Sequence, residues 1–251
     1  MSASKWSACG GEAVHWETFE SPDALSERAA SLLLGAIREN PRVVLGLPTG
    51  RTPIGMYDRV VRECSREYHC FRDVTTFNLD EYVGVPPSHP GSYFTYMKQH
   101  LFDHVDLDLT HAHLPRGMAK ELDAECARYE GEIRDAGGLD LTFLGLGRNG
   151  HIGFNEPGTP FDARTRVVAL TDSTRQANAD CFHDGNVPTH AITMGIGTIL
   201  ESRRIVLLVA GAGKEGAVER LRSGEVTMEF PASALWKHHD VTVLSSAATG
   251  S

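Results

Sequence analysis

Apolar positions along this chain recur in two rhythms. Between Ser21 and Asn40, Leu25, Ala29, Leu32, Leu33, Ala36 and Ile37 fall three and four residues apart, the spacing of one helix face. Ser21 stands where an N-cap belongs, and Pro22 fits the first turn. The pattern then changes. "RVVLGL" is short, continuous and β-branched, as expected of a strand covered on both faces. The alternation repeats down the chain. A helix opening at Thr52–Pro53 and running to about Tyr68 precedes the strand "DVTTFNL". That strand ends on Asp80–Glu81–Tyr82 and the loop "VGVPPSHPG". Helices over "SYFTYMKQHLFDHV" and "AKELDAECARYEGEIRDAGG" follow, the second stopped by glycine. "LDLTFLGLG", "RTRVVAL", "RRIVLLVAG" and "DVTVLSS" read as strands, with helices over "TMGIGTILES" and "KEGAVERLRSG" between the last three.

Strands alternating with helices predict an α/β fold. The expectation is a single doubly wound, mostly parallel sheet with helices on both faces, Rossmann-like. We read residues 1–251 as one domain, with 1–18 irregular. Ligands in such sheets bind beyond the carboxyl ends of the strands. The loops at Pro48, Asp80 and Gly147 each follow a strand end, so they are expected to share one rim.

Composition narrows the function. The net charge is −9, and no Lys/Arg cluster offers a phosphate backbone a basic face, so nucleic acid is not an expected partner. Apolar runs are too short to span a bilayer, and "MSASKWSACGGEAVHW" lacks a signal-peptide core, which points to the cytoplasm and away from membranes. Five cysteines, an odd count without a C-x-x-C pair, point to reduced thiols. "HAH" at His111–His113 lies in a polar stretch read as a solvated loop, and no metal site is expected there.

Three loops carry candidate chemistry. In "GLPTGRTP", Pro48, Thr49, Gly50, Arg51 and Thr52 bend from strand into helix, a place where backbone N–H groups and a helix dipole suit a phosphate. The motif is neither a Walker loop nor a dinucleotide fingerprint; the alternative is a tight turn without a ligand. "FNLDEY" sets Asp80 and Glu81 at a strand end. One carboxylate suits a general base if burial lifts its pKa, and the other reading is a helix cap or loop anchor. In "GRNGHIGFNEPG", His151 and Glu156 are close enough in sequence to meet, and a carboxylate beside imidazole fixes its tautomer. Asn149 and Asn155 either position a sugar hydroxyl or hold the loop. Lys214, at another strand-to-helix turn, is a surface lysine unless it converges with the Pro48 loop.

Together "LGLPTGRTPIGMYDRVV", "VTTFNLDEYVGVPPSHPGSYFTYM" and "LGLGRNGHIGFNEPGTPFDARTRVVALT" closely resemble the glucosamine-6-phosphate deaminases, from about Ser21 to Leu244. "PTGxTP" alone is shared with the related 6-phosphogluconolactonases. The resemblance implies conversion of glucosamine 6-phosphate and water to fructose 6-phosphate and ammonium, without metal or organic cofactor, by a monomer or homo-oligomer. It implies that Asp80 moves the C2 proton to C1, that His151 with Glu156 opens the sugar ring, and that Pro48–Thr52 and Lys214 bind phosphate. Asn149 stands where the regulated type has Asp. Asp180 stands where many relatives have a phosphate-binding Arg, and Arg51 is the expected substitute. Val168 replaces a Lys of the regulated type, so loss of allosteric activation is expected. Other readings of the same motifs are a deaminase for galactosamine 6-phosphate, a lactonase and a non-catalytic sugar-phosphate sensor. "EYVGVPPSHPGSY" and the segment after Phe161 are the candidate lids.

Overall fold

Strand β9 shows how the sheet is built. Ile205, Leu207 and Val209 of β9 (Arg204–Val209) enter one apolar cluster, while Val206 and Leu208 enter another on the opposite face. Period-two alternation with both sets buried demands helices on both sides. The structure, a computed structural model, describes residues 14–66, 70–179, 182 and 186–246.

The elements are β1 (Val14–Phe19), α1 (Pro22–Glu39), β2 (Val44–Leu47), α2 (Ile54–Cys64), β3 (Thr75–Asn78), β4 (Asp80–Tyr82), α3 (Tyr93–His100), β5 (Ala112–His113), α4 (Leu122–Asp135), β6 (Leu141–Gly145), β7 (Arg166–Ala169), α5 (Asp172–Asn178), β8 (His190–Thr193), α6 (Ile196–Leu200), β9, α7 (Glu215–Arg222) and β10 (Val241–Ser246). Seven strands form a parallel sheet in the order β1-β10-β9-β6-β2-β3-β5. From β2 the chain steps outward through β3 to β5, then returns to the other side of β2 at β6. The order therefore reverses between β2 and β6, the point where ligands bind in open α/β sheets. The loops leaving these two strands are the Pro48 and Gly147 loops.

The doubly wound expectation holds for the main sheet, with an addition. Asp80–Tyr82 does not finish the strand before it. It forms β4 of a second, antiparallel sheet, ordered β4-β8-β7, and "RTRVVAL" supplies its far strand. Leu79 breaks the run: its N–H still bonds Leu47 of β2 while its carbonyl accepts from Met194, so the chain changes sheet at this residue. The irregular start also ends earlier than expected. Val14–Phe19 pairs in register with β10 because Val14 and Trp16 have an apolar cluster to enter.

Local expectations met mixed outcomes. Ser21 caps α1, accepting from the Ala24 N–H at 3.2 Å. Thr52 does not cap α2, which starts at Ile54 with no side-chain cap; the helix stops at Cys64, and the expected end at Tyr68 lies outside the described residues. Cys70 is bonded to Cys64, which corrects the expectation of free thiols for that pair. Cys126 is free and buried, and Cys9 and Cys181 lie outside the described residues. His113 is no solvated loop residue either. It edges the main sheet, stacks on Phe77 with ring centroids 4.6 Å apart, and meets Glu132 at 3.1 Å. Among the described residues no helix is long and apolar enough to cross a membrane.

Candidate active site

Asp80 and Glu81 are neighbours with different duties, and the packing of α3 separates them. Glu81 is buried, and its carboxylate accepts backbone N–H bonds from Tyr82 at 2.9 Å and from Tyr93 and Phe94 at 3.0 Å each. The last two open α3, so Glu81 is the helix anchor foreseen as the plainer reading. Burial pushes its pKa up to about 7 despite those three bonds. Asp80 is as deeply buried, at 5% exposure, and among the described residues no donor is bonded to its carboxylate. Burial first, and the Glu81 charge second, push its pKa up to about 8. A buried carboxylate without a structural partner is an available base.

The small sheet aims Asp80 at the Gly147 loop. Asp80 pairs with Thr193 of β8, which pairs on its other side with Arg166 of β7. Thr193 Oγ1 accepts the Phe154 N–H at 3.2 Å. A Cβ added at Gly153 would stand 3.2 Å from Thr193 Oγ1 and 3.5 Å from Asp80 Oδ2, so the loop passes directly over the carboxylate. Asn155 is fully buried and holds that turn. Its amide donates to the carbonyls of Ile152 and Met194, both at 2.9 Å, and its oxygen accepts from Arg166 at 2.8 Å.

Within the loop, His151, Asn149 and Glu156 form one chain of contacts. Asn149 Nδ2 donates to Glu156 Oε2 at 2.6 Å, and Asn149 Oδ1 lies 2.8 Å from His151 Nδ1. Glu156 Oε1 is 3.7 Å from the same nitrogen and accepts from Thr174 Oγ1 at 3.2 Å. With its NH2 turned to a carboxylate, the amide offers its oxygen to the imidazole. That places the ring proton on Nδ1 and leaves Nε2 as a base. Burial lowers the pKa of His151, Glu156 opposes the shift, and Lys214 adds to it. Gly147 is required here, because any Cβ would overlap the His151 ring.

The Pro48 loop is pinned by tyrosines. Tyr57 donates to the Pro48 carbonyl and Tyr96 to the Gly50 carbonyl, each at 2.6 Å, and Thr49 comes close enough to the Tyr93 hydroxyl to oppose the rise that burial gives its pKa. Both carbonyls are thus engaged, and among the described residues no backbone acceptor takes the N–H of Thr49, Gly50 or Thr52. Free amides at an uncapped helix start make an anion cradle. Arg51 is exposed at the tip of this loop. Lys214, half-buried, reaches the same rim after β9, close enough to act on His151. The rim therefore gathers Asp80, Asn149, His151, Glu156, the Pro48–Thr52 loop and Lys214. Asp180 lies outside the described residues. Sequence reading missed Tyr93, Thr193 and Thr174, ordinary polar residues of α3, β8 and α5 that only the tertiary fold brings beside Thr49, Gly153 and Glu156.

The family model described as glucosamine-6-phosphate isomerases/6-phosphogluconolactonase matches residues 18–244. The chain is 49% identical over 234 residues to the glucosamine-6-phosphate deaminase of Bacillus pumilus, covering 93% of this chain and 97% of that one. It is 48% identical to glucosamine-6-phosphate deaminase 1 of Bacillus subtilis, covering 91% and 93%. A solved structure of a monomeric glucosamine-6-phosphate deaminase superposes with a TM-score of 0.90 at 47% identity, over 92% of this chain and 97% of that one. A Thermotoga maritima 6-phosphogluconolactonase shares the fold, with a TM-score of 0.73 at 20% identity over 93% and 99%.

Proposed function

The chain belongs to the family of glucosamine-6-phosphate isomerases and 6-phosphogluconolactonases, and from that premise we propose that it is a glucosamine-6-phosphate deaminase in which Asp80 moves the C2 proton. The relatives at about half identity are deaminases over nearly their whole length. The observation that carries the residue assignment is the partnerless carboxylate of Asp80 beneath Gly153. A lactonase hydrolyses an ester and has no need of a base at that place.

The steps follow from the geometry. The N–H groups of Thr49, Gly50 and Thr52, with Lys214, hold the phosphate, and binding far from the reacting carbons fixes orientation. Neutral His151, its Nδ1–H held by Asn149 and Glu156, uses Nε2 to move a proton between the C1 hydroxyl and the ring oxygen, opening the pyranose. Asp80 removes the C2 proton of the open aldehyde and returns it at C1 through an enolamine. The resulting C2 imine takes up water and releases ammonium, leaving the ketose. Burial suits Asp80 to this, since a carboxylate with a pKa near neutrality both accepts and returns a proton.

Asn149 explains its own departure from an acid. A second carboxylate beside His151 would favour the imidazolium; the amide keeps the ring neutral while holding its orientation. We take the monomer in the cytoplasm as the working form: the structural relative is described as monomeric, and a sugar phosphate is a cytoplasmic substrate. The test is to incubate the purified chain with glucosamine 6-phosphate and measure both products. Ammonium and fructose 6-phosphate should appear in equal amounts. Absence of ammonium at millimolar substrate from folded protein sinks the proposal, and hydrolysis of 6-phosphogluconolactone instead would favour the lactonase.

A further inference from the structure

Arg148 and Lys214 are two cations brought together without an acid to balance them. Arg148 follows β6 and Lys214 follows β9, strands paired in register up to Gly145 and Leu208. The guanidinium lies along the turn before α7: a Cβ at Gly213 would stand 3.3 Å from Arg148 Nε, 3.5 Å from Cζ and 3.7 Å from Nη2. Among the described residues neither cation makes an ion pair or a side-chain hydrogen bond. Glu215, the nearest acid in sequence, accepts the Gly213 N–H at 3.4 Å. Glu156 is taken by Asn149, Thr174 and His151. Lys214 is half-buried nonetheless, and its pKa is lowered by burial and then by Arg148. Like charges held this way gain strongly from an anion placed between them. The pair sits on the rim at the β6 end of the strand-order reversal, across from the free amides of the Pro48 loop.

We propose that Arg148 pairs with Lys214 as the anion clamp of this site and, on the deaminase reading, that it grips the phosphate of the substrate. Arg148 then takes the role that sequence reading gave to Arg51. A guanidinium presents two parallel N–H donors to a phosphate, a geometry that an ammonium lacks. Arg148 is exposed, so its replacement leaves the fold intact.

The test uses inorganic phosphate as the probe, titrated by calorimetry into wild type, R148Q, R148K and R51Q, alongside kinetics with glucosamine 6-phosphate. Loss of one charge-assisted contact at an exposed site predicts about tenfold weaker phosphate binding in R148Q. KM should rise in parallel with kcat little changed, since the contact is the same in ground and transition states. R148K should recover part of the loss, and R51Q should lose less phosphate affinity than R148Q does. R148Q binding phosphate as tightly as wild type overturns the inference, as does a loss confined to R51Q. If wild type releases no ammonium while R148Q still loses phosphate affinity, the deaminase reading fails and the clamp stands.

Discussion

Replacing Asp80 by Asn should remove turnover and make the protein more stable, increasingly so as pH rises. Asn has the shape of the protonated acid but cannot ionise. The folded pKa of Asp80, about 8, lies above its ordinary 3.8. Between those values the folded chain keeps a proton that the unfolded chain has released, so stability falls as pH rises through that window. About four units at about 1.4 kcal/mol each set an upper bound near pH 8 of roughly 5–6 kcal/mol. Water at the mouth of the site relaxes part of that, leaving about 2–4 kcal/mol. For a chain of this size each kcal/mol moves the melting temperature by about 2–4 °C, so a rise of roughly 4–16 °C is expected at pH 8. Glu81 is present in both proteins and cancels to first order. The assay is thermal melting of wild type and D80N from pH 5 to 8.5. The gap should be small at pH 5 and widen steadily. Equal melting temperatures throughout, or a gap that closes as pH rises, would show that the carboxylate is solvated or paired, and the argument for a strained base would fail.

Other consequences can be checked alongside. His151→Gln should slow turnover of the pyranose more than that of an open-chain substrate analogue; equal losses would remove the ring-opening role. Asn149→Asp should raise the His151 pKa by adding a carboxylate 2.8 Å from Nδ1, shifting the acid limb of kcat/KM to higher pH, as imidazole NMR and a pH–rate profile would show. Glu81→Ala leaves three buried N–H groups without an acceptor and should cost about 3 kcal/mol or more by chemical denaturation. Gly147→Ala forces a methyl into the His151 ring and should lower kcat by about tenfold or more with near-normal phosphate binding.

Much of the main sheet was legible because its strands are buried on both faces and read as continuous apolar runs. The strands that escaped are the weak ones. β1 is only partly buried along its length, β5 has two residues, and β8 follows a polar stretch. The second sheet was invisible for a physical reason. Asp80–Tyr82 continues an apolar strand in sequence, and only the hydrogen bonds of Leu79, one to each sheet, reveal the break. At the site, sequence placed Asp80 and Glu81 together but could not divide base from cap, since that depends on where α3 begins. It set His151, Asn149 and Glu156 in one loop, but the amide relay needed side-chain geometry. Arg148 stood inside a quoted motif unremarked, because its partner Lys214 lies 66 positions away in sequence.

If Asp80 carries hydrogen from C2 to C1, glucosamine 6-phosphate deuterated at C2 will register the transfer. Wild type should react more slowly than with unlabelled substrate and leave deuterium at C1 of fructose 6-phosphate or in the water. D80N should still bind the sugar phosphate but release ammonium at least about a hundredfold more slowly. Ammonium released by D80N at the wild-type rate, with the same fate of the label, would contradict the account.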